Sequence, residues 1–290
     1  MTVIKIICSL AIVGILFSCT NSKEKTEKKD SEVAEEIQSP TNKVVLSSEI
    51  VWEKLNPARG DKSPQAGTIW GDRKGAVATG FLAKFVDGFS SPPHIHNVTY
   101  RAVVIKGLVH NDDPNAETMW MKPGSFWTQP KGESHITSAK GKENIAYVEI
   151  DHGPYLVKPI DQAFDNDESP VNIDVSNIVW LDGTKTNWID SKSNAKISFL
   201  WKHKKIKGLK GLFVKLPKGF SGQLKSYGDI FHAVVIQGKA NYKMPKTEDR
   251  KQLDAGSYFT SKHIAIHTIS SNEEDILIYI RTNGNVKITN

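Results

Sequence analysis

Apolar residues in this 290-residue chain come in short runs that stop at glycine, proline, asparagine or aspartate. GFLAKFV from Gly80, YRAVVIKG from Tyr100, IAYVEI from Ile145, GLFVKL from Gly211, HAVVIQG from His232 and ILIYIRT from Ile276 are of this kind. Such runs, rich in β-branched and aromatic residues and bounded by turn formers, predict strands. No stretch of the globular part keeps a convincing helical period. The nearest approach is PIDQAFDNDESP from Pro159, an acidic loop with room for about one helical turn. The pattern therefore predicts an all-β protein.

The runs also repeat. GFSSPPHIHNVTYRAVVIKG from Gly88 aligns without a gap to GFSGQLKSYGDIFHAVVIQG from Gly219. Trp70 falls opposite Trp201, Trp52 opposite Trp180, and the stretch Gly124 to His135 opposite Gly256 to His267. A period of roughly a hundred residues or more marks a duplicated domain, not a solenoid. The expected organisation is one barrel over residues 45–158, a linker over 159–172 and a second barrel over 173–290.

The first 44 residues follow a different pattern. An apolar run from Ile6 to Phe17 is short for a membrane span and sits where a signal peptide sits. Leu16-Phe17-Ser18-Cys19 resembles a bacterial lipobox, which implies removal of residues 1–18 and a lipid on Cys19. Residues 19–44 carry charge of both signs and few apolar groups, as a flexible, disordered tether does. The expected location is the bacterial cell envelope. The protein would be lipid-anchored to a membrane with its globular part exported, periplasmic where there is an outer membrane. Cys8 is the only other cysteine, so the mature domains hold no disulfide, no cysteine nucleophile and no zinc–thiolate site. The net charge of +6 owes much to HKKIKGLKGLFVKLPKG in the second half. With no nucleic-acid recognition motif, it reads as a solvated lysine face.

His94 and His96 lie two apart, so on a strand both imidazoles point the same way, with Tyr100 at the same parity. His135 comes from the second stretch. Gly88, His94, His96 and Gly107, followed by Gly124, Pro130, Gly132 and His135, resemble the paired cupin motifs. The one departure is Tyr100, where that family usually has glutamate. The duplicated chain resembles a bicupin, closest to the ChrR-like group. The resemblance implies two cupin-type antiparallel jelly-roll barrels. The first would carry one divalent transition metal (Zn, Fe, Mn, Ni or Cu) on His94, His96 and His135.

The second copy supplies an internal control. Its gap-free alignment puts Lys225 at His94, Tyr227 at His96 and His267 at His135. One histidine does not make a metal site, so the second barrel is expected to be metal-free. Lys225, Tyr227 and His267 would line its pocket, with Asp229 a candidate partner for the ammonium. Tyr100 becomes Phe231, and Tyr147, Glu149 and Asp151 fall opposite Ile278, Ile280 and Thr282. Tyr100 and Glu149 are therefore candidate catalytic groups. Glu149 is open between fourth ligand, acceptor for an imidazole N–H, general base and solvent-facing strand residue. His110 is expected at the surface and His232 outside its own barrel. Open metal positions fit a metal-dependent enzyme, dioxygenase- or isomerase-like, on a small oxygen-rich molecule. A non-catalytic ligand-binding or sensor cupin is the alternative. The partners expected are a small molecule and, through the lipid, a membrane, but no nucleic acid; a homodimer is compatible with the pattern.

Overall fold

A computed structural model describes residues 40–290. Cys19, Cys8 and the expected signal peptide, and most of the expected tether, lie outside the described residues. Among the described residues, helix is confined to short 3-10 turns, including Ile160–Gln162 in the acidic loop between the halves. No helix among the described residues is long and apolar enough to cross a membrane.

In the second half, one sheet orders the strands Lys43–Val45, Tyr258–Ser261, Phe231–Gln237, Ile276–Thr282, Lys210–Leu216 and Lys196–Lys202, all antiparallel. A second sheet orders Arg250–Leu253, Ala240–Lys243, Ala265–Ser270, Ser221–Ser226 and Val286–Thr289. The first half repeats this plan with longer strands. Tyr100–Asp112 and Ile136–Ile150 pair along almost their whole length and turn the corner between sheets near Gly107, where the register shifts. Gly107 has φ +73°, and a Cβ there would stand 2.6 Å from the Glu143 carbonyl oxygen, so the bend needs glycine.

The apolar run AVVI occurs in both halves because its strand is buried on both faces. Ala102 and Val104 fill the first barrel, whereas Val103 and Ile105 point out of it. Ala233 and Val235 likewise fill the second barrel, and Val234 and Ile236 point outward. The outward sets meet each other, together with Phe126, Tyr147, Phe213, Leu277 and Tyr279, in a third apolar core between the barrels. Truncating Phe213, fully buried there, is expected to cost about 3–5 kcal/mol.

The two halves also exchange strands. Lys43–Val45, at the entry to the first half, pairs with Tyr258–Thr260 of the second. Val171–Ile173, at the entry to the second half, pairs with Phe126–Thr128 of the first. The expected tether and linker thus each end in a strand laid on the opposite barrel.

Candidate metal centre

The segment Ser91-Pro92-Pro93 shapes the first side of the site. Neither proline can donate to a ladder, and the pairing to Ile136–Ile150 breaks after Ser91, whose N–H still donates to the Thr137 carbonyl at 2.9 Å. It resumes at His94, which exchanges two backbone hydrogen bonds of 3.0 Å with His135. His96 follows on the strand Ile95–His96, which pairs with Val157–Lys158. Alternation carries His94 and His96 inward, as their spacing predicts. The three imidazoles are nearly or fully buried, at 9%, 2% and 0% exposure for His94, His96 and His135. One ring nitrogen from each lies within 4.8 Å of the others.

Hydrogen bonding settles which nitrogen each ring offers. The Nδ1 atoms of His94, His96 and His135 sit 3.0, 3.1 and 3.2 Å from the carbonyl oxygens of Pro92, Leu156 and Glu133. A carbonyl only accepts, so each Nδ1 carries the proton and each Nε2 keeps its lone pair. Burial lowers the pKa of all three. Proximity to His135 and His94 lowers His96 further, and His135 is brought down to about 3 by burial and by His94. Three neutral imidazoles with inward lone pairs fit a borderline divalent cation and no hard, oxygen-seeking one. They would be the residues that hold it.

Two tyrosines approach these lone pairs. The Tyr100 hydroxyl lies 3.5 Å from His135 Nε2 but donates to Asn111 Oδ1 at 2.8 Å. Asn111 is fixed in turn by Thr137 Oγ1 at 2.8 Å and by its own bond to Gln129 Oε1 at 2.9 Å. Tyr155 was not singled out from sequence. Its hydroxyl lies 3.1 Å from His96 Nε2, and its ring stacks on that imidazole at 4.4 Å. Burial raises the pKa of both phenols, so both stay protonated donors at neutral pH. Only an isolated tyrosine after Gly153-Pro154 marked Tyr155 in the sequence, and no motif spacing reaches it.

Glu149 does not join the site. Val148 and Ala146 face the first barrel, so the alternate residues Tyr147 and Glu149 face the second. Glu149 is fully buried between the barrels. Its carboxylate accepts from Tyr147 at 2.9 Å, Tyr279 at 2.8 Å and Arg281 at 3.2 Å. Arg281 also holds Asp151 at 2.7 Å, and Arg101 holds it at 2.9 Å. Burial alone would raise the Asp151 pKa, but the two guanidiniums outweigh it and the pKa falls. Cross-strand pairing also corrects the alignment here. Arg101 pairs with Glu149 and His232 with Arg281, so Glu149 corresponds to Arg281 and Tyr147 to Tyr279. The duplicated position carries opposite charges that meet across the interface.

The Lys225 pocket is likewise not formed as expected. In Ser221–Ser226 the inward residues are Leu224 and Ser226, both fully buried, and Leu224 pairs with His267. Leu224 and Ser226 are therefore the counterparts of His94 and His96. Lys225 faces the other way, its ammonium 4.9 Å from the Tyr227 ring centroid, and Tyr227 is 42% exposed. The cause is one residue. Phe89 pairs with Ala139 before the prolines and His94 with His135 after them, an extra residue that Ser221–Ser226 lacks in its unbroken pairing. One residue of slip flips every side chain to the other face. Asp229 accepts from His263 Nδ1 at 2.7 Å. His110, expected at the surface, is buried, and His232 leaves its barrel only to stack on Trp70 at 4.1 Å between the halves.

His94 and His96 line a cavity of about 410 Å³ in the first barrel, walled mostly by apolar groups such as Leu55, Phe81, Phe85, Phe89 and Val148. A family model described as a domain of unknown function, DUF4437, matches residues 43–289. The chain belongs to the DUF4437 family. No curated protein matches it. Several solved structures share the fold of this DUF4437 protein. A provisional dioxygenase from Nostoc punctiforme superposes with a TM-score of 0.62 at 13% identity, over 85% of this chain and 82% of that one. Oxalate decarboxylase from Lactobacillus farciminis, as a formate complex, does so with 0.55 at 11%, over 85% and 87%. A mutant salicylate 1,2-dioxygenase from Pseudoaminobacter salicylatoxidans, with gentisate bound, gives 0.53 at 12%, over 86% of each chain. These neighbours are cupins, and the architecture here is the bicupin fold; at such identity they speak for fold alone.

Proposed function

We propose that this DUF4437 protein is a metal-dependent enzyme whose first barrel acts on a small molecule, in an oxygenase- or isomerase-like reaction. The observation that carries this is the set of three imidazoles whose ligand nitrogens lie within 4.8 Å of one another, with His94 and His96 lining a largely apolar cavity. A divalent cation held by three neutral imidazoles supplies a Lewis acid with open positions for a substrate oxygen. The chain does the rest. The carbonyls of Pro92, Leu156 and Glu133 orient the rings. The apolar wall excludes water and accepts a substrate body less oxygen-rich than the motif alone suggests. Tyr155 and Tyr100 hold protons where a substrate oxygen would lie beside His96 and His135.

The test is turnover. Protein loaded with each of Fe, Mn, Ni, Cu and Zn should convert a candidate substrate, lose that activity on chelation and regain it with one metal. Stoichiometric binding with the ligand recovered unchanged in every metal form would favour the sensor reading. Tyr155→Phe should lower kcat by about tenfold to a hundredfold while metal content stays the same. Lipidation of Cys19 and anchorage in the cell envelope belong to this proposal on the strength of the Leu16-to-Cys19 pattern. Equal membrane association and processing of Cys19→Ala would remove them.

A further inference from the structure

The cavity wall is apolar, yet one cation stands in it. Arg59 lies on the 3-10 segment Pro57–Lys62 and lines the same cavity as His94 and His96. Arg59 is exposed while the histidines are buried, so the guanidinium marks the mouth and the imidazoles the floor. The base of the segment is tied by Leu55 N–H to the Pro64 carbonyl at 2.8 Å and by Asn56 N–H to Ser63 Oγ at 3.0 Å. The guanidinium carbon lies 5.2 Å from the centroid of Phe89, a buried wall residue. That cation–π contact keeps the group over the entrance.

No carboxylate lines this cavity. Nearby acids are engaged elsewhere: Asp61 binds Lys54 at 3.0 Å, and Glu53 binds Arg73 at 2.9 Å and Lys74 at 3.2 Å. Among the described residues, Arg59 makes no ion pair and its side chain makes no hydrogen bond. A planar guanidinium with its donors uncommitted, set at the rim of an apolar chamber, matches a carboxylate on an apolar body. We infer that Arg59 anchors the carboxylate of an aryl or alkyl acid whose apolar part fills the chamber toward the histidines. This rests on the first-barrel cavity being the substrate site, but it names the substrate class and a specificity residue that no metal requires.

The experiment is calorimetric titration of metal-free and zinc-loaded protein with matched probes. Phenylacetate is compared with phenylacetamide, and hexanoate with hexanamide. Each acid should bind more tightly than its amide in both protein forms. Arg59→Gln should weaken the preferred acid by about tenfold, the worth of one charge-assisted hydrogen bond, and leave its amide within twofold. Arg59→Lys should restore part of the loss, since charge returns without the fork. Whether the aryl or the alkyl acid binds better decides between an aromatic acid and a fatty acid as the source of the carboxylate. A preference for acids only in the zinc form would mean that the carboxylate goes to the metal. That would overturn the Arg59 anchor and leave the metal reading intact. Acid preference kept without zinc in a protein whose zinc binds elsewhere would do the reverse. Unchanged acid affinity in Arg59→Gln, or failure of both acids to bind, also overturns the anchor. Arg59 is exposed, so the substitution should not disturb folding, and an unchanged Tm checks that.

Discussion

At the same place in the two barrels stand His94 and Leu224, His96 and Ser226, Tyr100 and Phe231; His135 alone keeps its identity, as His267. The first barrel surrounds these groups with a cavity. The second packs its lumen with Phe231, Leu224, Tyr242 and Phe259, all fully buried. The surviving histidine shows how the role changed. His135 leans its Nδ1 on a carbonyl, which frees Nε2 as a lone pair. His267 has Tyr242 at 2.8 Å from Nδ1 and Ser261 at 3.0 Å from Nε2, and Phe231 stacks on its ring at 4.5 Å. Both of its nitrogens are engaged by hydroxyls, and Leu224 and Ser226 stand where two further imidazoles would have to be, so it satisfies a buried network and makes no metal site. Val157 pairs with His96 and Val286 with Ser226; two residues upstream stand Tyr155 and Gly284, so the second phenol is missing as well. A site here is a barrel that leaves its core incompletely filled and aims polar atoms into the gap.

The largest expected contrast between the barrels lies in metal affinity. His135→Ala should weaken metal binding by about a hundredfold to a thousandfold, because each imidazole carries a large share of the binding free energy. His267→Ala should leave affinity and stoichiometry unchanged in the same titration.

Next in size is the seam between the barrels. Glu149→Gln leaves Arg281 with Asp151 alone and should cost about 3 kcal/mol in denaturant unfolding, with metal affinity unchanged. A large loss of metal affinity with stability intact would return Glu149 to the site.

A gain of function sharpens the comparison further. Leu224→His with Ser226→His should build a weak second metal site around His267, at a cost of about 1–3 kcal/mol from polar groups in a filled core. Lys225→His with Tyr227→His should build none, since those side chains lie on the other face. Metal-to-protein ratios by elemental analysis separate the two pairs.

Acid stability carries a further mark of the second barrel. Burial lowers the His267 pKa to about 3, against the ordinary 6.5 of the unfolded chain. Below about pH 6.5 the unfolded chain takes up a proton that the folded barrel refuses. This histidine therefore makes the protein less stable as pH falls from 6.5 toward 3, by up to about 1.4 kcal/mol per pH unit. His267→Gln should flatten the stability profile in that window and leave it alone above pH 7.

Much of this was legible in the residues. The turn-bounded runs and the duplication announced two β barrels. The histidine triad followed from spacing, because His-x-His on a strand can only share a face. What was hidden lies in offsets of one. The gap-free match from Gly88 to Gly219 conceals an extra residue at Pro92-Pro93 that is given back before Tyr100. That slip put Lys225 and Tyr227 in a lumen that Leu224 and Ser226 occupy. A second offset, at the strands Ile136–Ile150 and Ile276–Thr282, set Glu149 against Ile280 instead of Arg281 and hid the interface pair. Tyr155 and the exchanged strands Lys43–Val45 and Val171–Ile173 sit in short segments with no periodicity to read.

The central claim is that one barrel alone holds a metal, on the Nε2 atoms of His94, His96 and His135. Anomalous diffraction from crystals grown with a divalent transition metal tests it most directly. The account predicts a single strong peak per chain, bonded to those three nitrogens, with the second barrel blank around His267. A peak in the second barrel, coordination through Nδ1, or no peak at saturating metal would contradict it.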